Sequence, residues 1–545
     1  MHFGRREELS RMLKVGAEIG AMEEALQMDW SGLPSALEVM VRRGVDLKTI
    51  HAIWAKLIPD RLAVVDGRRE VSFQELNEEI NRLATGLVQH YQVGPGRPLM
   101  VAMKNRAEYL VAWMAAARLG VGTIHASWRQ TSEELKYQIE HSGAGVVVAD
   151  QSVASALRPL ELEAVIAVGE GVEGRPYDEV IAQGSRRMGL RRGGRRQSEN
   201  IVYTSGTTGR PKGAVRDMAA YGVVEFAQIL ERLPLKMGER HLVVSPIYHS
   251  GGQIFSLMET ALGSTLYLAE EFDAESTLAQ MHDEAINTIF LVPTMLRKIL
   301  ELDDGLHERY GVPSLRGILC GAAPFPEALR RRAVERFGAE VIHDFYGATE
   351  IGWITVINGQ EMKERPGSVG RPLAGQEVRI LDEDGQEMDT GEVGTIYVRN
   401  HHLMGGYLKN EEATEEIRRG GWMTVDDLGY VDEEGYLYLA GRVRDMVISG
   451  GVNIYPAEIE NVLMEHPAVR EIAVIGVDDE AWGEALVAVV VVEEGEGIDE
   501  QGLVDYAKER LTDYKVPRRW ERVEELPRNP TGKVLKRELR ERFEM

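Results

Sequence analysis

Apolar positions along this chain follow two different periods, and their order outlines the architecture. Between about residue 64 and residue 292, short β-branched or aliphatic runs (146–149, 201–203, 242–244, 288–292) alternate with stretches of helical spacing. That alternation predicts parallel sheets covered by helices. The longest apolar stretch, 109–122, is interrupted by Arg118 and falls short of the roughly 20 residues that a membrane span requires, so it is expected to be a buried helix. From 367 to 398 the pattern changes to short strands with turn signals, as in VRILDEDGQEM and GEVGTIYVR, which predicts a smaller β-rich subdomain. After Gly441, residues 472–477 and 485–492 read as strands, while Leu503, Ala507 and Leu511 recur at helical spacing. The expected fold class is α/β: a large N-terminal domain (1–441) of two helix-covered sheets plus the β-rich subdomain, then a small α+β C-terminal domain (442–545).

Composition narrows this picture. A chain of 545 residues is too long for one hydrophobic core, which agrees with several subdomains. The net charge of −24 sets most of the surface against a phosphate backbone, so nucleic-acid binding is not expected. Cys320 is the single cysteine, which excludes an internal disulfide and a Cys-based zinc cluster, and it is read as a buried small hydrophobe. The first residues, MHFGRREELSR, lack the apolar core of a secretory signal, so a cytoplasmic protein is expected. One basic stretch, RRMGLRRGGRR (186–196), reads as an exposed loop; weak peripheral contact with an anionic membrane is the alternative.

The most informative segment is IVYTSGTTGRPKGAV (201–215), where a β-like run enters a loop of hydroxyls and glycines. Anion binding is its natural use. Gly206, Gly209 and Gly213 let the backbone approach phosphate oxygens, Ser205, Thr207 and Thr208 add hydroxyl donors, and Lys212 adds positive charge. It is not a Walker A loop, because Pro211 stands at the second glycine of that motif and Gly213 follows the lysine where Ser or Thr would be required.

From about residue 58 to residue 540, the chain resembles the adenylate-forming superfamily of acyl-CoA synthetases, carrier-domain adenylation domains and beetle luciferases. The motifs are YTSGTTGRPKG (203–213), IYHSGG (247–252), GAAP (321–324), DFYGATE (344–350), GWMTVDDLGYVDEEGYLYLAGRVRD (421–445), SGGVNIYPAEIE (449–460) and PRNPTGK (527–533). The resemblance implies an ATP-dependent acid–CoA ligase that forms an acyl-adenylate and then a thioester, using ATP, Mg²⁺ and coenzyme A. It assigns ATP and AMP contacts to Thr204, Ser205, Gly206, Thr207, Thr208, Gly209 and Lys212, to Gly321, Ala322 and Ala323, and to Asp344, Phe345, Tyr346, Gly347 and Thr349. Within these, Tyr346 stacks on adenine, Asp344 meets the adenine edge, Thr349 contacts phosphate and Glu350 helps hold magnesium. A flat ring and a hard carboxylate oxygen suit those tasks.

Asp427 and Arg442 are assigned to the ribose. Relatives place a glycine before that aspartate, whereas this chain has Asp426, which is strained if the position needs positive φ. The resemblance makes Lys533 the catalytic lysine, expected to bridge the acid and the α-phosphate. Arg444 is the expected hinge of a mobile small domain, after whose rotation Ser449, Gly450 and Gly451 line the CoA channel. His249 stands at the acyl and thiol entrance. A medium- or long-chain fatty acid is the expected substrate; the alternatives are an aryl or alicyclic acid, an enzyme that loads a carrier protein, and a nucleotide-binding relic. A homodimer is common among such enzymes.

Overall fold

The computed structural model describes residues 30–43, 49–94, 96–188, 199–204, 211–217, 229–479, 481–492, 500–528 and 533–544. Strands buried along their whole length form the centres of two large sheets, Leu99–Ala102 and Val146–Asp150 in one, Thr288–Leu291 and Gly317–Gly321 in the other. Covering by helices on both faces is why these segments are almost entirely apolar instead of alternating. The helices are punctuated by their own sequence. Phe73–Tyr91 begins with a capping box between Ser72 and Glu75. The 109–122 stretch is indeed a buried helix, Ala107–Leu119, closed by Gly120 in the left-handed region (φ 68°). Its interrupting Arg118 donates to the side-chain oxygens of Asn77 and Asn81.

Among the described residues the first sheet has eight strands and the second fifteen. The first is parallel from Glu199–Thr204 across to Ala164–Val168. Its other side adds Lys212–Asp217 antiparallel to Glu199–Thr204. The second is parallel from Leu62–Val65 to Ile342–Ala348, then turns antiparallel through Gly352–Asn358. The expected β-rich subdomain is joined to this edge of the sheet. Ser368–Pro372 pairs with Gly352–Asn358 on one side and Leu437–Arg442 on the other, so those strands extend the large sheet.

The small C-terminal domain is built on the antiparallel pair Val469–Asp479 and Gly483–Val492. Its alternation is two-sided. Ile472 and Val474 pack with Leu463, Leu503 and Ala507, while Ala473, Ile475 and Val477 pack with Leu539 and Phe543. Leu503 and Ala507 lie on helix Glu500–Arg510, and Leu511 follows it directly. Among the described residues no helix is long and apolar enough to cross a membrane. Most of the basic stretch 186–196 lies outside the described residues; Arg186, which is described, pairs with Glu78 at 3.5 Å.

Candidate active site

The extended second sheet brings together side chains that are far apart in sequence. Asp427 and Arg442 are direct register partners on adjacent strands, so their fifteen-residue separation is a hairpin pairing. Arg442 Nε donates to Asp427 Oδ1 at 2.9 Å, and the Tyr346 hydroxyl donates to Asp427 Oδ2 at 2.8 Å. Burial, reinforced by the Asp427 charge, keeps that hydroxyl protonated far above its ordinary range. Asp426 has φ 61°, with its amide bonded to Thr424 Oγ1 at 3.0 Å and its carbonyl accepting from the Val443 amide at 2.9 Å. The position does require left-handed backbone, and an exposed aspartate occupies it at modest cost.

Asp344 is the residue expected at the adenine edge. Its carboxylate is buried and held by Arg330 Nη2 at 2.5 Å, while Arg330 Nη1 donates to the Ser368 carbonyl at 2.6 Å. Burial pushes its pKa up to about 6 against the pull of Arg330. The side chain thus ties helix Glu327–Phe337 to the strand carrying Tyr346. Next to it, Phe345 joins Phe255, Phe290 and Trp353, with ring centroids 4.9 to 5.7 Å apart. A Cβ at Gly321 would fall 2.6 Å from the Phe345 ring, and one at Gly347 only 2.3 Å from the Gly352 carbonyl oxygen, so glycine is obligatory at both. In GAAP, Ala322 has φ 65°, a strained non-glycine residue with no sequence signature, and Ala323 follows it half-buried.

Thr204 and Lys212 form the last register pair between the antiparallel strands Glu199–Thr204 and Lys212–Asp217. Ser205, Gly206, Thr207, Thr208 and Gly209 lie outside the described residues. Glu350 Oε1 accepts from Thr204 Oγ1 at 3.2 Å and from the Tyr407 hydroxyl at 3.1 Å, and Lys212 Nζ sits 5.2 Å from the centroid of the Tyr407 ring. Tyr407 was missed by sequence reasoning, since it comes from another segment altogether, Gly406–Tyr407 paired to Lys212–Asp217. Thr349 Oγ1 bonds Ser250 Oγ at 3.1 Å, joining the DFYGATE segment to helix Ser250–Ala261. His249 precedes that helix. Burial, then the nearby Arg129, pushes it down to about 3, so it is a neutral imidazole, and its Nε2 is buried without a hydrogen-bond partner.

Lys533 of the small domain is half-buried. Burial and the positive charge of Arg442 lower it to about 8, against the attraction of Asp427 and Glu350, with Arg444 adding to the lowering. The lysine therefore shares one electrostatic field with the residues expected to hold ribose and magnesium. Arg444, in the short turn Val443–Asp445, has its carbonyl bonded by Arg540 Nη2 at 3.2 Å. Ser449 ends strand Val447–Ser449, and Gly450 (φ 60°) and Gly451 (φ 80°) make a two-residue turn into Val452–Ile454. Both glycines are exposed, and the Gly450 amide bonds the Trp482 carbonyl of the small domain itself at 2.8 Å.

Thr204 and Glu350 supply hard oxygen donors that suit Mg²⁺. Among the described residues no group of three or more His, Cys, Asp or Glu could hold a metal, so nucleotide phosphates would complete its shell.

A hairpin end carrying Thr204 and Lys212, a tyrosine–aspartate–arginine group and a lysine from the small domain are thus brought to one region of the protein. Residues 52–408 match the AMP-binding enzyme family and 458–533 match the AMP-binding enzyme C-terminal domain, and the chain belongs to this family. It is 33% identical to 2-succinylbenzoate–CoA ligase of Bacillus licheniformis over 90% of this chain and 99% of that one. It is 34% identical to feruloyl-CoA synthase of an Amycolatopsis species over 90% and 97%. Among solved structures, o-succinylbenzoate CoA synthetase of Bacillus subtilis with its acyl-adenylate intermediate superposes with a TM-score of 0.78 at 30% identity, over 90% of this chain and 97% of that one.

Proposed function

We propose that the protein is an ATP-dependent acid–CoA ligase acting through an acyl-adenylate, and that its acid carries an aromatic ring. The observation that carries the first part is the presence of Lys533, from the small domain, in the field of Glu350, Asp427 and Arg442 of the large one. The relatives that act on 2-succinylbenzoate and ferulate support the second part. They favour the aryl alternative over the expected fatty acid.

In this reading Asp427 and Arg442 hold the ribose, Tyr346 offers its face to adenine, and Thr204, Lys212 and the segment 205–209 take the phosphates. Glu350 and Thr204 would hold Mg²⁺, which supplies charge neutralisation on the phosphates. The Lys533 ammonium sits between two anions, the acid's carboxylate and the α-phosphate, and offsets their repulsion. The carboxylate oxygen attacks the α-phosphorus and pyrophosphate leaves; the CoA thiol then attacks the acyl carbon and AMP leaves. Lys533 and the thiol need the same space, so the small domain, divided from the large one at Arg442, turns about Arg444 between steps and presents Ser449, Gly450 and Gly451. His249, uncharged, lines the acyl side and does not serve as an acid there.

A panel of benzoate, a hydroxycinnamate, octanoate and palmitate tests the assignment by pyrophosphate release. A ring acid is expected to give the highest kcat/KM, by about tenfold or more, the scale at which an apolar pocket separates unlike shapes. A clear win for octanoate or palmitate would reject the aryl reading.

A further inference from the structure

One contact between the small domain and the large one is a three-residue charge bridge. Arg297, on helix Pro293–Leu300 of the large domain, donates through Nη1 to the Arg470 carbonyl at 2.9 Å and to Glu471 Oε1 at 3.1 Å. Arg528 Nη2 donates to the other oxygen, Glu471 Oε2, at 2.7 Å. The carboxylate is therefore shared by one arginine from each domain. These side chains are 13%, 18% and 27% exposed, whereas a second interdomain pair, Arg331 with Glu465, is 52% and 39% exposed and correspondingly weaker.

What Arg528 is attached to gives the bridge its meaning. Arg528 and Val534 form a β-bridge, and the Leu535 amide bonds the Pro527 carbonyl at 2.8 Å, so these residues close the base of the loop that carries Lys533. Lys533 is the immediate neighbour of Val534. Glu471 thus links the large-domain helix to the base of the lysine loop through one carboxylate. Of its two bonds, the one to Arg528 lies within the small domain and travels with it, while the one to Arg297 crosses the interface and breaks whenever the small domain turns.

We infer that Arg297, Glu471 and Arg528 form a latch that holds the lysine loop over the adenylate site for the first half-reaction and opens for the second. This rests on the reading of Lys533 given above. Glu471 and Arg297 are positioning residues, since they act through the loop and touch neither substrate. Removing the Glu471 charge leaves two guanidiniums facing each other, which pushes the domains apart in the state that adenylation needs.

The test separates the half-reactions in the full-length protein, using the best acid of the panel. Glu471→Gln is expected to slow acyl-AMP formation from acid and ATP without CoA by about tenfold, a typical size for coupling between contacting groups. Thioester formation from supplied acyl-AMP and CoA should stay within about twofold of the unmodified protein or accelerate, because that state has no use for the latch. Arg297→Met should reproduce the effect, and the double variant should be no slower than the worse single one. Acyl-AMP formation by Glu471→Gln within twofold of the unmodified rate would overturn the latch, as would equal losses in both half-reactions, the mark of a merely structural role. Lys533→Ala, measured in parallel, separates the two readings. If it forms acyl-AMP normally, the assignment of Lys533 fails and takes the latch with it; if it is slow while Glu471→Gln is normal, only the latch fails.

Discussion

The ribose group and the lysine loop reach the same site by opposite means. Tyr346, Asp427 and Arg442 stand on strands of one continuous sheet, and their mutual bonds of 2.8 and 2.9 Å are backed by backbone pairing. Lys533 arrives from another domain, fastened by charge pairs such as Arg297 with Glu471. On the proposed mechanism, groups needed in both steps are built into sheet hydrogen bonds, and the group that withdraws is held by contacts that a rotation can break. Fixed electrostatics cost no reorganisation when the reaction occurs, while a withdrawable charge must be cheap to release.

Breaking the fixed side should do at least as much damage as opening the Glu471 latch. Asp427→Ala removes the acceptor of both Tyr346 and Arg442 and leaves a buried hydroxyl and a guanidinium unpaired. At roughly 1.5 to 3 kcal/mol per charged hydrogen bond, kcat/KM for ATP should fall by about 10- to 150-fold, with little change in the KM for CoA. Steady-state kinetics with each co-substrate varied in turn checks this; an equal rise in both KM values would refute the assignment to ribose. Asp426→Gly probes the same strand for the opposite, smaller effect. Relieving a left-handed aspartate at φ 61° should raise stability by about 0.5 to 1 kcal/mol in urea unfolding and leave turnover unchanged. A loss of stability would show that Asp426 is not strained, and a large gain in turnover would show that it impairs the site.

The sequence made the fixed side more legible than the withdrawable one. Buried parallel strands such as Val146–Asp150 carry unbroken apolar runs, and Asp427 with Arg442 sits inside a dense motif. The left-handed demand at Asp426 was also readable, from a missing glycine. Pairings between distant segments were not. The attachment of the β-rich subdomain to the large sheet depends on Ser368–Pro372 finding two partners, which no local pattern encodes. Arg330 as the partner of Asp344, Tyr407 as the partner of Glu350 and Glu471 as the link to Arg297 are single polar contacts made only by the tertiary fold. Ala322 adopts glycine-like backbone without being glycine, so composition gave no sign of it.

On the proposed mechanism, a lysine from the small domain neutralises the meeting of two anions. Single-turnover acyl-AMP formation without CoA, followed from pH 6 to 9.5 for the unmodified protein and for Lys533→Ala, tests it most directly. Because burial and Arg442 lower Lys533 to about 8, the charged form is lost as pH rises through that value, and the unmodified rate should fall on this limb. Lys533→Ala should be slower by about 10²- to 10³-fold, the usual cost of one transition-state charge partner, and should lack that limb. A variant that forms acyl-AMP as fast as the unmodified protein, with the same fall above pH 8, would contradict the account.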